Sequence, residues 1–182
     1  SEIKKGFLAT RNKKHAPQTG GCGQFPTNMS NVAKNINAPK NVAEMGLEKV
    51  RRLAAERLAP GALYAGDVTP EEAWRLLAED AQAVLVDVRT DAEWNYVGVA
   101  DLSALNKKPV LISWQRFPDM ARNDEFSANL SAAGVTPAMP VLFLCRSGVR
   151  SASAARHCTA EGFSDCFNII EGFEGAVDEN IH

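Results

Sequence analysis

The sequence predicts an α/β fold built on an open, mainly parallel sheet. Short apolar runs of strand length recur along the chain, and helix-like stretches lie between them. The runs are continuously apolar rather than alternating, which is typical of strands that helices cover on both faces. With 182 residues, 45% of them hydrophobic and 23% charged, the chain is large enough for one self-supporting core. This composition excludes a largely disordered chain, a collagen-like repeat and a disulfide-dense miniprotein.

The formal net charge of −2 conceals two unlike segments. Residues 1–43 hold seven basic residues and one acidic residue, whereas residues 44–182 hold 13 basic and 21 acidic ones. The first segment shows no hydrophobic period and is interrupted by Gly and Pro. We therefore expect a basic, flexible arm, either native or introduced by cloning. The acidic remainder gives no reason to expect a nucleic-acid partner.

The arm also bears on location. It is basic and acid-poor like a mitochondrial transit peptide, but Lys and Asn dominate it rather than Arg and Ser. No apolar run reaches the roughly 18–20 residues that a membrane span requires, and no secretory signal is evident. We expect a cytoplasmic protein without a membrane partner, and mitochondrial import is left open.

The first helices are predicted from spacing and capping residues. Apolar residues recur at three- and four-residue steps over 45–58, so 44–60 is predicted to be an amphipathic helix and linker ahead of a domain at 61–182. A second helix should begin after Thr69, because Glu72 completes a capping box with it.

The rest of the chain alternates between strands and helices. We expect helices over 119–133 and 150–161, the second ending at Gly162, which suits a left-handed C-terminal position. Strands are predicted over 84–88, 110–112, 141–144 and 167–170.

The loop after the strand at 141–144 carries the most distinctive chemistry. The carboxyl ends of strands are where open α/β sheets place their working groups, and Cys145 stands there, directly before a predicted helix. Three features of the loop would favour the thiolate form of this cysteine. They are inward-turned N–H groups, the positive end of the helix, and the nearby arginines Arg146 and Arg150. Gly148 would let the loop bend tightly. The predicted site is Cys145, Arg146, Ser147, Gly148, Val149 and Arg150.

These residues resemble the active-site loop of the single-domain rhodaneses, which are sulfurtransferases. The Cys-Arg-Ser-Gly-Val-Arg-Ser sequence at 145–151 is the most specific part, and Asp87, Arg89 and Glu93 are similar to the family's aspartate–arginine and glutamate signature. The resemblance covers roughly residues 66–175. It implies an open sheet of about five mainly parallel strands, flanked by helices on both faces.

The resemblance is incomplete in two places. The stretch at 94–100 lacks the His of the family's His-Ile-x-Gly-Ala motif. The chain also stops at His182 without the family's Trp-containing helix and Gly-x-Pro tail, so we expect the final segment of the domain to be missing.

The resemblance also implies a reaction. Cys145 would take sulfane sulfur from an anionic donor such as thiosulfate as a persulfide, and would pass it to cyanide, a small thiol or a protein thiol. The backbone of 146–150 would cradle the persulfide, Arg146 and Arg150 would attract the donor, and Asp87 and Arg89 would support the site. The resemblance implies neither an organic cofactor nor a metal. The spacing of the four cysteines also fits no zinc pattern.

The segment after the predicted strand at 110–112 lies at the same edge of the sheet. Trp114 and Arg116 could form a wall of the substrate pocket and influence the choice of donor. The alternative is a packed loop aromatic beside a solvated arginine.

Three rival functions are weighed against sulfur transfer. Phosphatases with a loop cysteine leave five residues between Cys and Arg, whereas four separate Cys145 from Arg150. Rhodanese folds also serve as protein-docking or sulfur-relay modules, but the docking members usually lose the nucleophile. The third rival is a redox sensor, in which Cys158 or Cys166 would resolve an oxidised Cys145. Cys158 stands too far along the helix for direct reach, and packing in the core is the better explanation for both cysteines.

Overall fold

The computed structural model describes residues 47–175, so the predictions for the arm at 1–43 and for the end of the chain lie outside the described residues. The α-helices are α1 Leu47–Glu56, α2 Pro70–Glu79, α3 Asp91–Val97, α4 Phe126–Ala132 and α5 Val149–Ala160, and a 3₁₀ turn spans Ser103–Leu105. The strands are β1 Gly66–Val68, β2 Val84–Asp87, β3 Val110–Leu111, β4 Gln115–Arg116, β5 Ala121–Arg122, β6 Val141–Leu144 and β7 Cys166–Ile169.

Five strands form a parallel sheet in the order β1–β7–β6–β2–β3. Strand β6 is central and pairs with β2 on one side and β7 on the other, with Phe143 opposite both Val86 and Asn168. Cys145 follows β6 directly and therefore stands at the middle of the carboxyl edge. The predicted α/β fold with a mainly parallel sheet is confirmed.

Helices cover both faces of this sheet, as the apolar runs predicted. All four residues of β6 are buried, and they alternate between two hydrophobic clusters. Leu142 and Leu144 face the cluster to which α1 and α2 contribute, whereas Val141 and Phe143 face the cluster that includes α4 and α5. The central strand is thus fixed from both sides, and the loop that follows it has a rigid base.

Helix α1 belongs to this packing. Val50 and Ala54 on its inner face are fully buried in the same cluster as β1 and α2. The helix predicted over 44–60 therefore packs onto the domain that was predicted to begin at residue 61. In residues 47–175 no helix combines the length and the apolar character that crossing a bilayer needs.

The helix predicted over 119–133 is wrong in its first half. Residues 115–122 form the antiparallel β4–β5 hairpin, and Met120 has a φ of 56°, which a right-handed helix excludes. Only Phe126 and Leu130 keep the helical spacing that buries one face of α4. Strand β1 was not predicted from the residues, because Gly66-Asp67-Val68 contains a single strong strand former.

Candidate active site

Cys145 lies in a tight loop between β6 and α5. Its side chain is buried, with 1% of the residue exposed, and its Sγ accepts a hydrogen bond from the N–H of Gly148 at 3.0 Å. Gly148 has a φ of 96°, in the left-handed region that favours glycine, so the bend expected there is present. The N–H group and the first turn of α5 both place positive partial charge beside the sulfur.

Ser151 provides a second contact that the sequence did not indicate. It is fully buried on α5, and its Oγ lies 3.1 Å from the Sγ of Cys145. The same Oγ lies 2.6 Å from the Oδ1 of Asn168, a buried residue of β7. The sulfur therefore touches a buried polar network.

Both loop arginines are paired with carboxylates. Arg150 donates from its two terminal nitrogens to the two oxygens of Glu93, at 2.8 and 2.7 Å. The Nε of Arg146 donates to Glu174 at 2.7 Å, in a more exposed pair. The positive charge that the sequence placed beside Cys145 is thus largely compensated.

Glu93 is held in its charged form. Burial alone would raise its pKa, but hydrogen bonds from Arg150 and from the N–H and hydroxyl of Thr90 outweigh burial and lower the pKa to about 2. The bond to Glu93 in turn raises the pKa of Arg150, so both members of the pair are charged at neutral pH. Thr90 and Glu93 also form the capping box of α3, which fixes the carboxylate in place.

Asp87 and Arg89 form a second, fully buried pair beneath the site. The Nη2 of Arg89 donates to Asp87 at 2.6 Å, and its Nε contacts both carboxylate oxygens. Arg89 also donates to the carbonyl of Gly98, and its guanidinium lies 3.7 Å from the ring centroid of Phe173. The pair links β2, the end of α3 and the chain after β7.

The segment after β7 straps the cysteine loop. The N–H groups of Phe173 and Glu174 donate to the carbonyls of Cys145 and Arg146, at 2.8 and 3.2 Å. Gly172 has a φ of 61°, and a Cβ there would overlap the carbonyl group of Arg146. We call residues 172–174 the strap, and the loop is held in register by it.

A cavity of about 450 Å³ adjoins the loop. Arg146 and Arg150 form part of its lining, and most of the other lining side chains are apolar. The lining residues are Arg89, Thr90, Ala92, Glu93, Tyr96, Val97, Phe117, Met120, Arg146, Arg150, Phe173 and Glu174.

Of the two alternatives left open for Trp114 and Arg116, the structure is nearer to the packed loop aromatic, because neither residue lines the cavity. Trp114 is 8% exposed and packs edge-on against Phe126 in the core, with ring centroids 5.0 Å apart. Arg116 points to Asn123 and Glu125, at 2.7 Å from each. The cavity wall comes instead from Phe117 and Met120 of the same hairpin.

The remaining described thiols pack in the core. Cys158 and Cys166 are fully buried in the cluster under α5, and the hydrogen bond with Cys166, together with burial, raises the pKa of Cys158. Within residues 47–175, no three His, Cys, Asp or Glu side chains gather as a metal site.

The fold is a parallel α/β sheet that presents a cysteine in a tight loop at the start of a helix. The chain belongs to the rhodanese-like family, whose domain model matches residues 69–179.

Relatives match a comparable share of the chain. It is 39% identical over 109 residues to the uncharacterized protein RC0915 of Rickettsia conorii, covering 60% of this chain and 84% of that protein. It is 27% identical over 115 residues to the thiosulfate sulfurtransferase GlpE of Glaesserella parasuis, covering 63% and 89%. Among solved structures, Rv0390 from M. tuberculosis is 45% identical with a TM-score of 0.57, covering 65% of this chain and 87% of that one.

Proposed function

We propose that this protein is a sulfurtransferase that carries sulfane sulfur as a persulfide on Cys145. The observation that carries the proposal is the Gly148 N–H aimed at the buried Sγ, 3.0 Å away, at the start of α5. An anionic sulfur in that position is stabilised by groups that need no reorganisation. Kinship with proteins described as thiosulfate sulfurtransferases points the same way.

The first half-reaction loads the cysteine. The thiolate of Cys145 attacks the outer sulfur of thiosulfate, and a new S–S bond forms while the S–S bond of thiosulfate breaks. Sulfite leaves with the bonding electron pair, and the persulfide keeps one negative charge. No proton moves, so a general base beside Cys145 is not required.

The second half-reaction unloads it. Cyanide or a thiolate attacks the terminal sulfur, the persulfide S–S bond breaks, and Cys145 departs as a thiolate. The product is thiocyanate or a new persulfide. Departure is assisted by the Gly148 N–H, because it faces the sulfur on which the charge reappears.

The two arginines would contribute unequally to donor binding. Arg150 is held by two hydrogen bonds in a part-buried pair, whereas Arg146 and Glu174 form an exposed pair, which water and salt weaken. Arg146 can therefore exchange Glu174 for an anionic donor at little cost.

One observation favours a second candidate, a sulfur-relay module without free thiosulfate turnover. The compensation of Arg146 and Arg150 by Glu174 and Glu93 reduces the attraction for a small dianion. In this alternative, Cys145 still carries sulfur, but the donor is the persulfide of a partner protein and the acceptor is a protein thiol.

Mass spectrometry after thiosulfate treatment tests the proposal. We expect a gain of one sulfur atom, about 32 Da, on the peptide that contains Cys145, with release of thiocyanate when cyanide is added. The Cys145→Ser protein should show neither. Loading from a polysulfide but not from thiosulfate would support the relay candidate, and an unmodified Cys145 with both donors would overturn sulfur transfer.

A further inference from the structure

Exposed apolar side chains gather at the cavity beside Cys145. Four of the large hydrophobic residues that the described chain exposes line this cavity, and we call them the apolar rim: Tyr96, Val97, Phe117 and Met120. Tyr96 is 90% exposed and Phe117 is 62% exposed. Single exposed apolar residues are ordinary, but a contiguous group of them marks an interaction site.

The charges around the rim suit a neutral ligand. Each arginine of the cavity has its own carboxylate partner, so the formal charge of the pairs sums to zero. The pairs are Arg89 with Asp87, Arg150 with Glu93 and Arg146 with Glu174. An uncharged apolar group can therefore enter without leaving an unpaired charge behind it.

The size of the cavity points in the same direction. A volume of about 450 Å³ is far more than a five-atom thiosulfate ion fills, and it lies in the range of sites for larger organic groups. Protruding Tyr, Phe and Met side chains are enriched at protein interfaces. Because Cys145 is only 1% exposed, a flat protein surface cannot reach it, and an extended segment that enters the cavity comes nearer to the cysteine loop.

We propose that the apolar rim docks an extended segment of a partner protein in which a cysteine is flanked by apolar side chains. This inference rests on the proposed function and names its acceptor. The partner's thiolate attacks the terminal sulfur of the Cys145 persulfide, the S–S bond of that persulfide breaks, and Cys145 leaves as a thiolate. The partner then carries the persulfide.

Two short synthetic peptides test the inference. Each has one central cysteine, flanked by Leu and Phe in one and by Ser and Gly in the other. Protein loaded by polysulfide is mixed with each peptide, and the transfer rate is followed by mass spectrometry. We expect the apolar peptide to react at least about tenfold faster at limiting concentration, the effect of burying one apolar side chain.

Rim variants show whether the preference comes from this surface. Phe117→Ser and Tyr96→Ser should each remove most of the preference. Leu63→Ser is the matched control, since Leu63 is 74% exposed but is not part of the cavity lining, and it should change nothing. Equal rates for the two peptides, or a preference that Phe117→Ser leaves intact, would overturn the inference.

Two further outcomes separate the possibilities. If thiophenol accepts sulfur as fast as the apolar peptide and depends equally on Phe117, the site takes a small apolar thiol and the partner-protein inference is wrong. If neither polysulfide nor thiosulfate loads Cys145, the proposed function itself fails.

A second inference rests on different atoms, those of a polar network behind Cys145. The Oγ of Ser151 lies 3.1 Å from the Sγ of Cys145 and 2.6 Å from the Oδ1 of Asn168. The Nδ2 of Asn168 donates to Asp67 Oδ1 at 2.8 Å, which also accepts from the Tyr64 hydroxyl at 2.8 Å. Burial and the bond to Asp67 raise the pKa of Tyr64 to about 12, so Tyr64 remains a donor.

The network constrains one proton. The Asp67 carboxylate only accepts, so it orients Asn168 with its N–H₂ outward and its Oδ1 toward Ser151. The Ser151 hydroxyl has a single proton and two acceptors, Asn168 Oδ1 and the sulfur. It can satisfy only one of them at a time.

We infer that Asn168 and Asp67 are positioning residues that compete with Cys145 for the Ser151 proton. With the sulfur uncharged, as in the thiol or in the persulfide's inner atom, Ser151 donates to Asn168. When negative charge appears on Sγ, the hydroxyl turns to it. The hydrogen bond is thus made as Cys145 departs, which is when it accelerates sulfur transfer.

Two substitutions should act in opposite directions. Asn168→Ala frees Ser151 to donate to the sulfur and should move the pH midpoint of Cys145 alkylation by iodoacetamide downward. Ser151→Ala removes the donor and should move the midpoint upward. The neighbouring charged groups, Arg150 with Glu93 and Asp87 with Arg89, are unchanged in both variants.

Controls keep this test decisive. Ser153→Ala alters an exposed hydroxyl on the same helix, bonded to the Val149 carbonyl, and should leave the midpoint unchanged. If Asn168→Ala does not fold, Asn168→Leu, of similar volume, serves the same purpose. Shifts in the same direction, or no shift, would show that Asn168 has only a structural role.

Discussion

Glu93 binds Arg150 through both carboxylate oxygens while it caps the helix on which it stands. One carboxylate therefore joins α3 to the cysteine loop across 57 positions of the sequence. Because Glu93 neutralises the Arg150 guanidinium, which could otherwise bind a donor anion, the main effect of the pair is to fix the geometry of the loop.

The link should give stability a specific pH dependence. The pKa of Glu93 falls to about 2 in the folded protein from an ordinary value of 4.5. Because the pKa of Glu93 is lower in the folded than in the unfolded protein, the charged carboxylate stabilises the fold fully at pH values above the unfolded pKa. This stabilisation is lost as the pH falls toward about 2. The difference in unfolding free energy between wild type and Glu93→Gln should therefore be constant from neutral pH to about 5 and shrink below that.

Denaturant unfolding at a series of pH values measures this difference. Glu79→Gln, in an exposed pair with Arg75, is the control and should change stability by less than about 0.5 kcal/mol. A Glu93→Gln effect that stays undiminished down to pH 3 would contradict the assignment.

Gly172→Ala should impair sulfur loading. Both its left-handed backbone and the overlap of a Cβ with the Arg146 carbonyl force the strap away from the loop. We expect the rate of persulfide formation to fall at least tenfold, because small misplacements of reacting groups cost about two orders of magnitude. The matched control is Gly175→Ala, which is also left-handed but has open space around its Cα. Equal loss in both variants would show that the contact is unimportant.

The Asp87–Arg89 pair should be costly to break from one side. Arg89→Leu leaves the Asp87 carboxylate buried without its cation, and we expect a loss of about 3–5 kcal/mol in unfolding free energy. Replacing both residues, as in Asp87→Leu with Arg89→Leu, should cost less than Arg89→Leu alone. Additive losses in this double-mutant cycle would argue against the pair as the cause.

Glu174→Gln should strengthen the use of thiosulfate. Without its carboxylate partner, Arg146 offers an uncompensated charge at the cavity, so kcat/KM for thiosulfate should rise a few-fold at low ionic strength. Salt screens exposed charges over about 10 Å at 0.1 M, and the gain should disappear as salt increases. Cyanide consumption by the loaded protein, measured separately, should not change. A gain that resists salt would require another explanation.

The sequence predicted what depends on neighbouring residues. The apolar run of β6, the bend at Gly148 and the start of α5 are local, and together they placed Cys145 correctly at the carboxyl edge. The capping box at Thr69 and Glu72 was likewise predicted from adjacent residues.

What could not be predicted depends on distant partners. Arg150 and Glu93 are both visible in the sequence, but nothing local says that they meet, so Arg146 and Arg150 were expected to form a local positive site for an anionic donor. For Trp114, its position at the sheet edge allowed either a pocket wall or a packed loop aromatic. Its burial against Phe126 depends on the hairpin that separates them, which interrupts any helical period.

The two thiols packed between α5 and β7 have a practical consequence. Cys158 and Cys166 are closed to solvent, so a permeant alkylating reagent reaches them only when the helix lifts from the strand. The rate at which they are labelled measures how often α5 separates from β7, whereas the rate for Cys145 measures the accessibility of the cysteine loop. A single mass-resolved time course therefore measures how often α5 separates from β7 and how accessible Cys145 is, in the same molecule.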